Sequence, residues 1–326
     1  MPIVKSSAYR KPFYMINGHM ETILPSLFRK VGGPPYTRER ITTEDGDFLD
    51  IDWLLHKESD HLAIISHGLE GSSERPYVRG VANTFYNAGW NVLAWNCRSC
   101  SGEMNKTFRL YHHGATYDLH DVVQHALKKR PFNTIVLIGF SMGGSLSLKY
   151  MGETTRILPK EIKGTVVFSV PVRLEDSARA LSSWDNAIYR KRFLKKLIRK
   201  IKIKATSFPD EYPLNGIDDI RDFAALDSKY SAPLNGFDTA AGFYEYASAG
   251  NYLEHIDRPA LIVNAKNDPM LPDSCYPYEL AEKHPFIFLE TPEKGGHVGF
   301  HLKGDKSWME VRALEFVKEN IMRNEK

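Results

Sequence analysis

The stretch Thr134-Ile-Val-Leu-Ile-Gly-Phe-Ser-Met-Gly-Gly-Ser145 limits what this chain can fold into more than any other. Residues 135–138 are four consecutive apolar residues, three of them β-branched, which suits a strand buried on both faces of a parallel sheet. Gly139, Ser141 and Gly143 then satisfy G-x-S-x-G, the spacing of a nucleophile elbow. A serine that lifts its hydroxyl clear of a sheet must sit in a strained turn. There, a side chain two positions to either side would collide with neighbouring backbone. Gly144, Ser145, Leu146, Leu148 and Tyr150 open a predicted amphipathic helix. The free N–H groups at its start favour negative charge developing beside the serine. Strand before and helix after is the setting that separates an elbow from a chance match.

The rest of the chain supplies a frame for that turn. Residues 38–55 read as a hairpin around Glu44-Asp-Gly46, with period-2 alternation after it. From residue 61 the pattern becomes strand–helix alternation. Strands are predicted at 61–66, 90–95, 164–170, 259–264 and 286–289, and helices at 77–88, 118–130 and about 306–322. Such alternation predicts an α/β fold with a mostly parallel central sheet flanked by helices. Residues 1–35 are irregular, rich in aromatic residues, proline and glycine, and are expected to pack on the core as an N-terminal extension. Residues 36–171 and 256–326 form the predicted core. Residues 172–255 break the alternation and are expected to form an inserted helical lid.

A serine hydroxyl is a weak nucleophile unless a histidine takes its proton and an acid orients that histidine. In a sheet of this kind the acid and then the histidine should follow the serine in the chain, at the C-terminal ends of strands. Asp268 follows the strand ending near Asn264, and His297 follows the one ending near Leu289, within Gly295-Gly-His-Val-Gly-Phe300. Asp273 lies farther from its strand, and His301 lies beyond the glycine-flanked turn, so Asp268 and His297 are the candidates. The oxyanion needs two donors. The backbone N–H of Met142, next to the serine, is one, and that of Leu69, in the loop after the first parallel strand, is the other.

Only here does composition matter. A net charge of +3 over 326 residues gives no argument for nucleic acid. Three cysteines provide no disulfide framework, and no signal peptide or run of eighteen apolar residues is present. The expected location is the cytoplasm.

These residues resemble the α/β-hydrolase superfamily and, more narrowly, its YheT/EMB8-like branch, which is related to animal α/β-hydrolase domain lipases. The resemblance rests on Asn17-Gly-His-Met-Glu-Thr-Ile-Leu-Pro25, His67-Gly-Leu-Glu-Gly-Ser72, Arg98-Ser-Cys-Ser-Gly102, Tyr111-His-His-Gly-Ala-Thr-Tyr-Asp118, Gly139-Phe-Ser-Met-Gly-Gly144, Asn267-Asp-Pro269 and Gly295-Gly-His-Val-Gly-Phe300. It implies a triad of Ser141, Asp268 and His297, and a carboxylesterase or an acylglycerol or phospholipid lipase acting on an ester or lipid. The same triad also suits an acyltransferase or thioesterase, and a hydrolase fold with an idle triad would serve as a binding module. The chain departs from the branch at Ser99, where glycine is usual, and at His113-Gly-Ala, where a Ser-Gly-Glu-like run is usual.

No cofactor or metal is expected. Cys97-Arg-Ser-Cys100 lacks a second ligand pair or a thioredoxin-like helix start, and His112-His113 lacks a companion ligand pair at helical spacing. Residues 190–204 hold nine cations and no acid, with Phe193, Leu194, Leu197, Ile198 and Ile201 as an apolar stripe at helical spacing. A solvated lid helix over the site is the favoured expectation, with transient contact with anionic lipid surfaces as the second.

Overall fold

The computed structural model describes residues 3–325; Met1, Pro2 and Lys326, the outer ends of the expected extension and core, lie outside them. Eight strands form one sheet: β1 (Thr37–Thr42), β2 (Phe48–Leu54), β3 (His61–Ser66), β4 (Asn91–Trp95), β5 (Thr134–Phe140), β6 (Ile162–Phe168), β7 (Ala260–Val263) and β8 (Ile287–Glu290). Their order across the sheet is β1-β2-β4-β3-β5-β6-β7-β8. The β1–β2 and β2–β4 pairs are antiparallel and all others are parallel. The chain therefore runs outward from β3 in both directions, and the crevice at this switch point lies over the C-terminal ends of β3 and β5.

The apolar run in β5 behaves as its composition predicts. All seven residues of the strand are buried. Ile135 and Leu137 join the core on one face of the sheet, while Val136 and Ile138 join the core on the other. Period-2 alternation of side chains across a strand gives this division.

The N-terminal segment is more regular than its sequence suggests. Residues 18–28, expected to be irregular, form helix α1 (Gly18–Phe28). Its glycine and proline punctuate the helix without breaking it. The Asn17 side chain caps the start by accepting from Met20 N at 2.9 Å. Pro25 forgoes the bond its own nitrogen would have made, while its carbonyl accepts from Arg29 N. Before α1, Tyr9 is buried against the rings of Phe300 and Trp308.

Helices α2 (Pro76–Asn87), α3 (Thr116–Lys129) and α4 (Met142–Gly152) follow β3, β4 and β5. Between β6 and β7 the chain forms α5 (Leu174–Leu181), α6 (Ala187–Ala205), several short helical turns and a helix at Ala240–Ala247. These pack around an apolar cluster of their own that includes Leu194, Ile201, Tyr212, Tyr230 and Phe243.

Candidate active site

Ser141 sits between β5 and α4 at φ 52° and ψ −118°, a conformation sparsely populated by any residue with a side chain. The flanking glycines are required by contact. A Cβ on Gly139 would lie 2.4 Å from the Gly143 carbonyl oxygen, and one on Gly143 would lie 2.3 Å from the Ser66 carbonyl oxygen. The turn therefore closes only because both positions lack side chains.

The loops after β7 and β8 bring Asp268 and His297 to this serine. His297 Nδ1 lies 2.8 Å from Asp268 Oδ2, and His297 Nε2 lies 2.9 Å from Ser141 Oγ. A carboxylate only accepts, so Nδ1 carries the proton and Nε2 is left as an acceptor for the serine hydroxyl. The other Asp268 oxygen accepts from Met270 N at 2.9 Å, which fixes the carboxylate plane. Asp273 is exposed and begins a separate turn. His301 pairs in a bridge with Ser307, and its carbonyl accepts from Tyr9. Neither alternative bonds to Ser141 or to the His297 ring.

The loop bearing Leu69 is fixed by a histidine whose own role is structural. His67 Nδ1 donates to the Gly68 carbonyl at 2.7 Å, and Nε2 accepts from Cys97 N at 3.1 Å. Complete burial pushes this imidazole down to about 4, so it is neutral at physiological pH. Gly68 N donates to the Tyr77 hydroxyl at 3.1 Å. The Leu69 and Met142 N–H groups have no acceptor among the described residues.

Helix α1 holds the acid and histidine loops together. Thr22 Oγ1 accepts from His297 N at 2.8 Å. Glu21 is buried and accepts from the N–H of Gly295 and from Asn267 Nδ2. Asn267 Oδ1 in turn accepts from Gly296 N at 3.1 Å. The fit is close enough that a Cβ on Gly18 would lie 2.0 Å from the Asn267 carbonyl oxygen. Ser169 adds a support from below by accepting from Val298 N at 2.8 Å. The chemistry of nucleophile and base pointed to none of these supports. The Asn17–Pro25 segment drew notice only through resemblance.

Two pockets meet at the serine, and both are lined by Leu69, Ser141 and His297. The first is apolar and runs between the sheet and the inserted helices, with Leu110, Phe193, Leu197, Ile201, Phe243 and Leu271 in its wall. The second opens beside α1 and is lined by Ile23, Arg75, Tyr77, Tyr189, Arg192 and Lys196, among others.

The basic helix α6 is solvated on one face and engaged on the other. Lys196, Lys200 and Lys204, four residues apart and so on one face, turn toward the core. Lys200 pairs with the buried Glu70 at 2.6 Å, and Lys204 donates to the carbonyls of Asn105 and Thr107. Lysine stems cover the apolar contact while their heads reach polar partners in the loops below. Lys191, Arg192, Lys195, Arg199 and Lys202 are exposed.

The remaining motifs are held in other ways. Cys97 and Cys100 are free thiols, and no cluster of metal-ligating residues occurs among the described residues. His112 and His113 line the apolar pocket, and burial pushes them down to about 3 and about 4. Ser99 takes φ 61°, and its hydroxyl donates to Asn105 Oδ1 at 2.6 Å. That local bond offsets the cost of a left-handed residue where glycine is usual.

The profile of the alpha/beta hydrolase fold matches residues 64–304. The chain belongs to that family. Within it the chain falls in the YheT/EMB8-like branch. YheT of Escherichia coli (strain K12) is 30% identical over 310 residues, spanning 92% of this chain and 90% of that one. Phospholipase ABHD3 of Mus musculus is 26% identical over 278 residues, spanning 82% of this chain and 67% of that one. Among solved structures, the Pyrococcus furiosus esterase Pf2001 shares the fold with a TM-score of 0.59 at 22% identity, covering 90% of this chain and 98% of that chain. No described helix is long and apolar enough to cross a membrane.

Proposed function

We propose that this esterase/lipase-type α/β hydrolase cleaves carboxylic esters through Ser141, His297 and Asp268. The observation that carries the reading is the hydrogen-bonded line from Asp268 Oδ2 through His297 to Ser141 Oγ, with links of 2.8 and 2.9 Å. In this reading Ser141 Oγ attacks the ester carbonyl as its proton passes to His297 Nε2, and Asp268 stabilises the imidazolium. The Leu69 and Met142 N–H groups, free of other acceptors among the described residues, donate to the oxyanion. His297 then returns the proton to the departing alcohol oxygen. A water molecule, deprotonated by the same nitrogen, releases the acyl group from the serine.

The apolar pocket suits the acyl chain, since its lining offers aliphatic and aromatic surface and few polar groups. Residues 172–255 act as a lid in this reading, with 36–171 and 256–326 as the catalytic core and 1–35 as a buttress to it. The relatives agree in class, since one is named a phospholipase.

The test is turnover of a chain-length series of nitrophenyl esters by the wild type and by Ser141→Ala. The variant is expected to lose about 10³-fold or more in kcat. It should also lose labelling by a fluorophosphonate probe. Near-normal turnover by Ser141→Ala would remove the assignment.

A further inference from the structure

The second pocket gathers more positive charge than the protein neutralises. Arg29, Arg75, Arg192 and Lys196 line it, and Lys200 lies just behind. Two of these five cations have partners: Arg29 pairs with Glu310, and Lys200 with Glu70. Glu70, the pocket's one lining carboxylate, also accepts from the Tyr111 hydroxyl at 2.6 Å. Glu74, next to Arg75, is taken by Arg79 at 3.1 Å. Among the described residues, Arg75, Arg192 and Lys196 are therefore left without a carboxylate. The Lys196 ammonium has one weak bond, to the Glu70 carbonyl oxygen at 3.3 Å. Burial holds Lys196 below the ordinary lysine range; Glu70 opposes that, while Arg75, Arg192 and Lys200 push it lower still. Like charges collected around one concave site cost the folded state unless an anion joins them.

Position gives this charge a use. The cationic pocket and the apolar pocket share Leu69, Ser141 and His297. An ester whose acyl chain fills the apolar side must send its alcohol portion toward Arg75, Arg192 and Lys196. Two guanidinium forks and an ammonium match the oxygens of a phosphate, which accepts several charge-assisted hydrogen bonds at once.

We propose that the pocket lined by Arg75, Arg192 and Lys196 binds a phosphate group on the alcohol portion of the substrate, which makes the substrate an acyl ester of a phosphorylated alcohol. The proposal rests on the ester-hydrolase reading above. Hydrolysis leaves the phosphate ester intact. The acyl carbon–oxygen bond breaks, the alcohol oxygen takes the proton from His297, and water supplies hydroxide to the acyl group. The phosphate belongs either to a dispersed phosphorylated ester or to a headgroup in a lipid surface, and both present anionic phosphate oxygens to the same three side chains.

The experiment compares esters sharing one octanoyl chain: octanoylglycerol, octanoylglycerol phosphate and octanoylglycerol phosphocholine. In the wild type, kcat/KM for the phosphate ester should exceed that for octanoylglycerol by at least about tenfold. That ratio should fall about tenfold in each of Arg75→Gln, Arg192→Gln and Lys196→Gln, mainly through KM, while Lys196→Arg keeps most of it. Independently of turnover, glycerol 3-phosphate should bind full-length Ser141→Ala in calorimetry and lose that binding when Arg192→Gln and Lys196→Gln are added. Preference shown with monomeric octanoylglycerol phosphate indicates a dispersed substrate. Preference shown only with phosphatidic acid in vesicles indicates a headgroup. A ratio near one both for the octanoyl esters and for phosphatidic acid against diacylglycerol in vesicles, or a ratio unchanged in the three variants while neutral esters are still cleaved, overturns the phosphate pocket and leaves the hydrolase standing. Binding of glycerol 3-phosphate by a protein that cleaves none of the esters supports the pocket and overturns the hydrolase reading instead.

Discussion

The backbone N–H of His297 donates to the hydroxyl of Thr22 at 2.8 Å, across 275 positions of sequence. Thr22 lies in the second turn of α1, and its hydroxyl donates in turn to the Gly18 carbonyl. The base of the proposed triad is thus held by a helix outside the strand–helix alternation. Its neighbour Glu21 ties the same loop to the one that carries Asp268, through Gly295 and Asn267.

Thr22→Val should lower kcat with little change in KM. The substitution keeps the volume but leaves the His297 N–H without its acceptor, so the imidazole loses registration with Ser141. Displacements of this kind cost up to about 10²-fold in rate. Steady-state kinetics on a nitrophenyl ester reads the effect, and the rate of fluorophosphonate labelling should fall in parallel. An unchanged kcat would show that α1 packs beside the loop without positioning it.

The α6 row of lysines leads to a stability prediction. Lys200 and Glu70 form an ion pair whose side chains are 13% and 6% exposed. Lys200→Met leaves Glu70 with the Tyr111 hydroxyl as its main support. Breaking a buried pair from one side costs about 3 kcal/mol or more, so urea unfolding should show a loss of that size. Adding Glu70→Gln should recover part of it, because the uncompensated charge is then gone. Losses that simply add would mean the two side chains do not depend on each other.

The sequence-based reading succeeded where one element decides the matter by itself. The run 135–138 needs only burial on two faces, and G-x-S-x-G needs only room for backbone, so both are visible locally. The order Ser141, Asp268, His297 follows from strand ends that apolar runs mark. Helix α1 was hidden because Gly18 and Pro25 look like loop residues, and their tolerance depends on a cap by Asn17 and on contact with Asn267. The row of engaged lysines on α6 is hidden for a related reason. Composition shows nine cations, but which of them meet Glu70, Asn105 and Thr107 depends on loops about 100 positions away.

Acid should destabilise the protein between about pH 6.5 and pH 4. Burial pushes His67, His112 and His113 down to about 4, 3 and 4 in the folded state, while the unfolded chain titrates near 6.5. Within that window the unfolded state binds protons that the folded state refuses, so stability falls as pH falls. Asp118 and Asp227 oppose this, because burial raises both to about 6 and the folded state there holds protons that the unfolded state lacks. Three sites against two still leave a net loss, at about 1.4 kcal/mol per pH unit for each uncompensated proton. Thermal unfolding in a pH series tests it. A Tm that stays flat or rises on acidification to pH 4.5 would contradict the buried neutral histidines.

Leu197 lies on α6 one turn beyond Phe193, and both face the apolar pocket that ends at Ser141. Leu197→Trp should fill part of the space assigned to the acyl chain without touching the relay. A chain that can no longer bury its last four methylenes loses about 0.8 kcal/mol for each, or about two orders of magnitude in kcat/KM for decanoyl esters. Acetyl and butyryl esters, which need only the part of the pocket nearest the serine, should keep most of their kcat/KM, because they have no distal methylenes to lose from burial. The ratio of decanoyl to butyryl turnover across the series is therefore the quantity to measure. A uniform fall at every chain length would point to disturbance of α6 itself, and a preserved ratio would move the acyl chain to the other pocket.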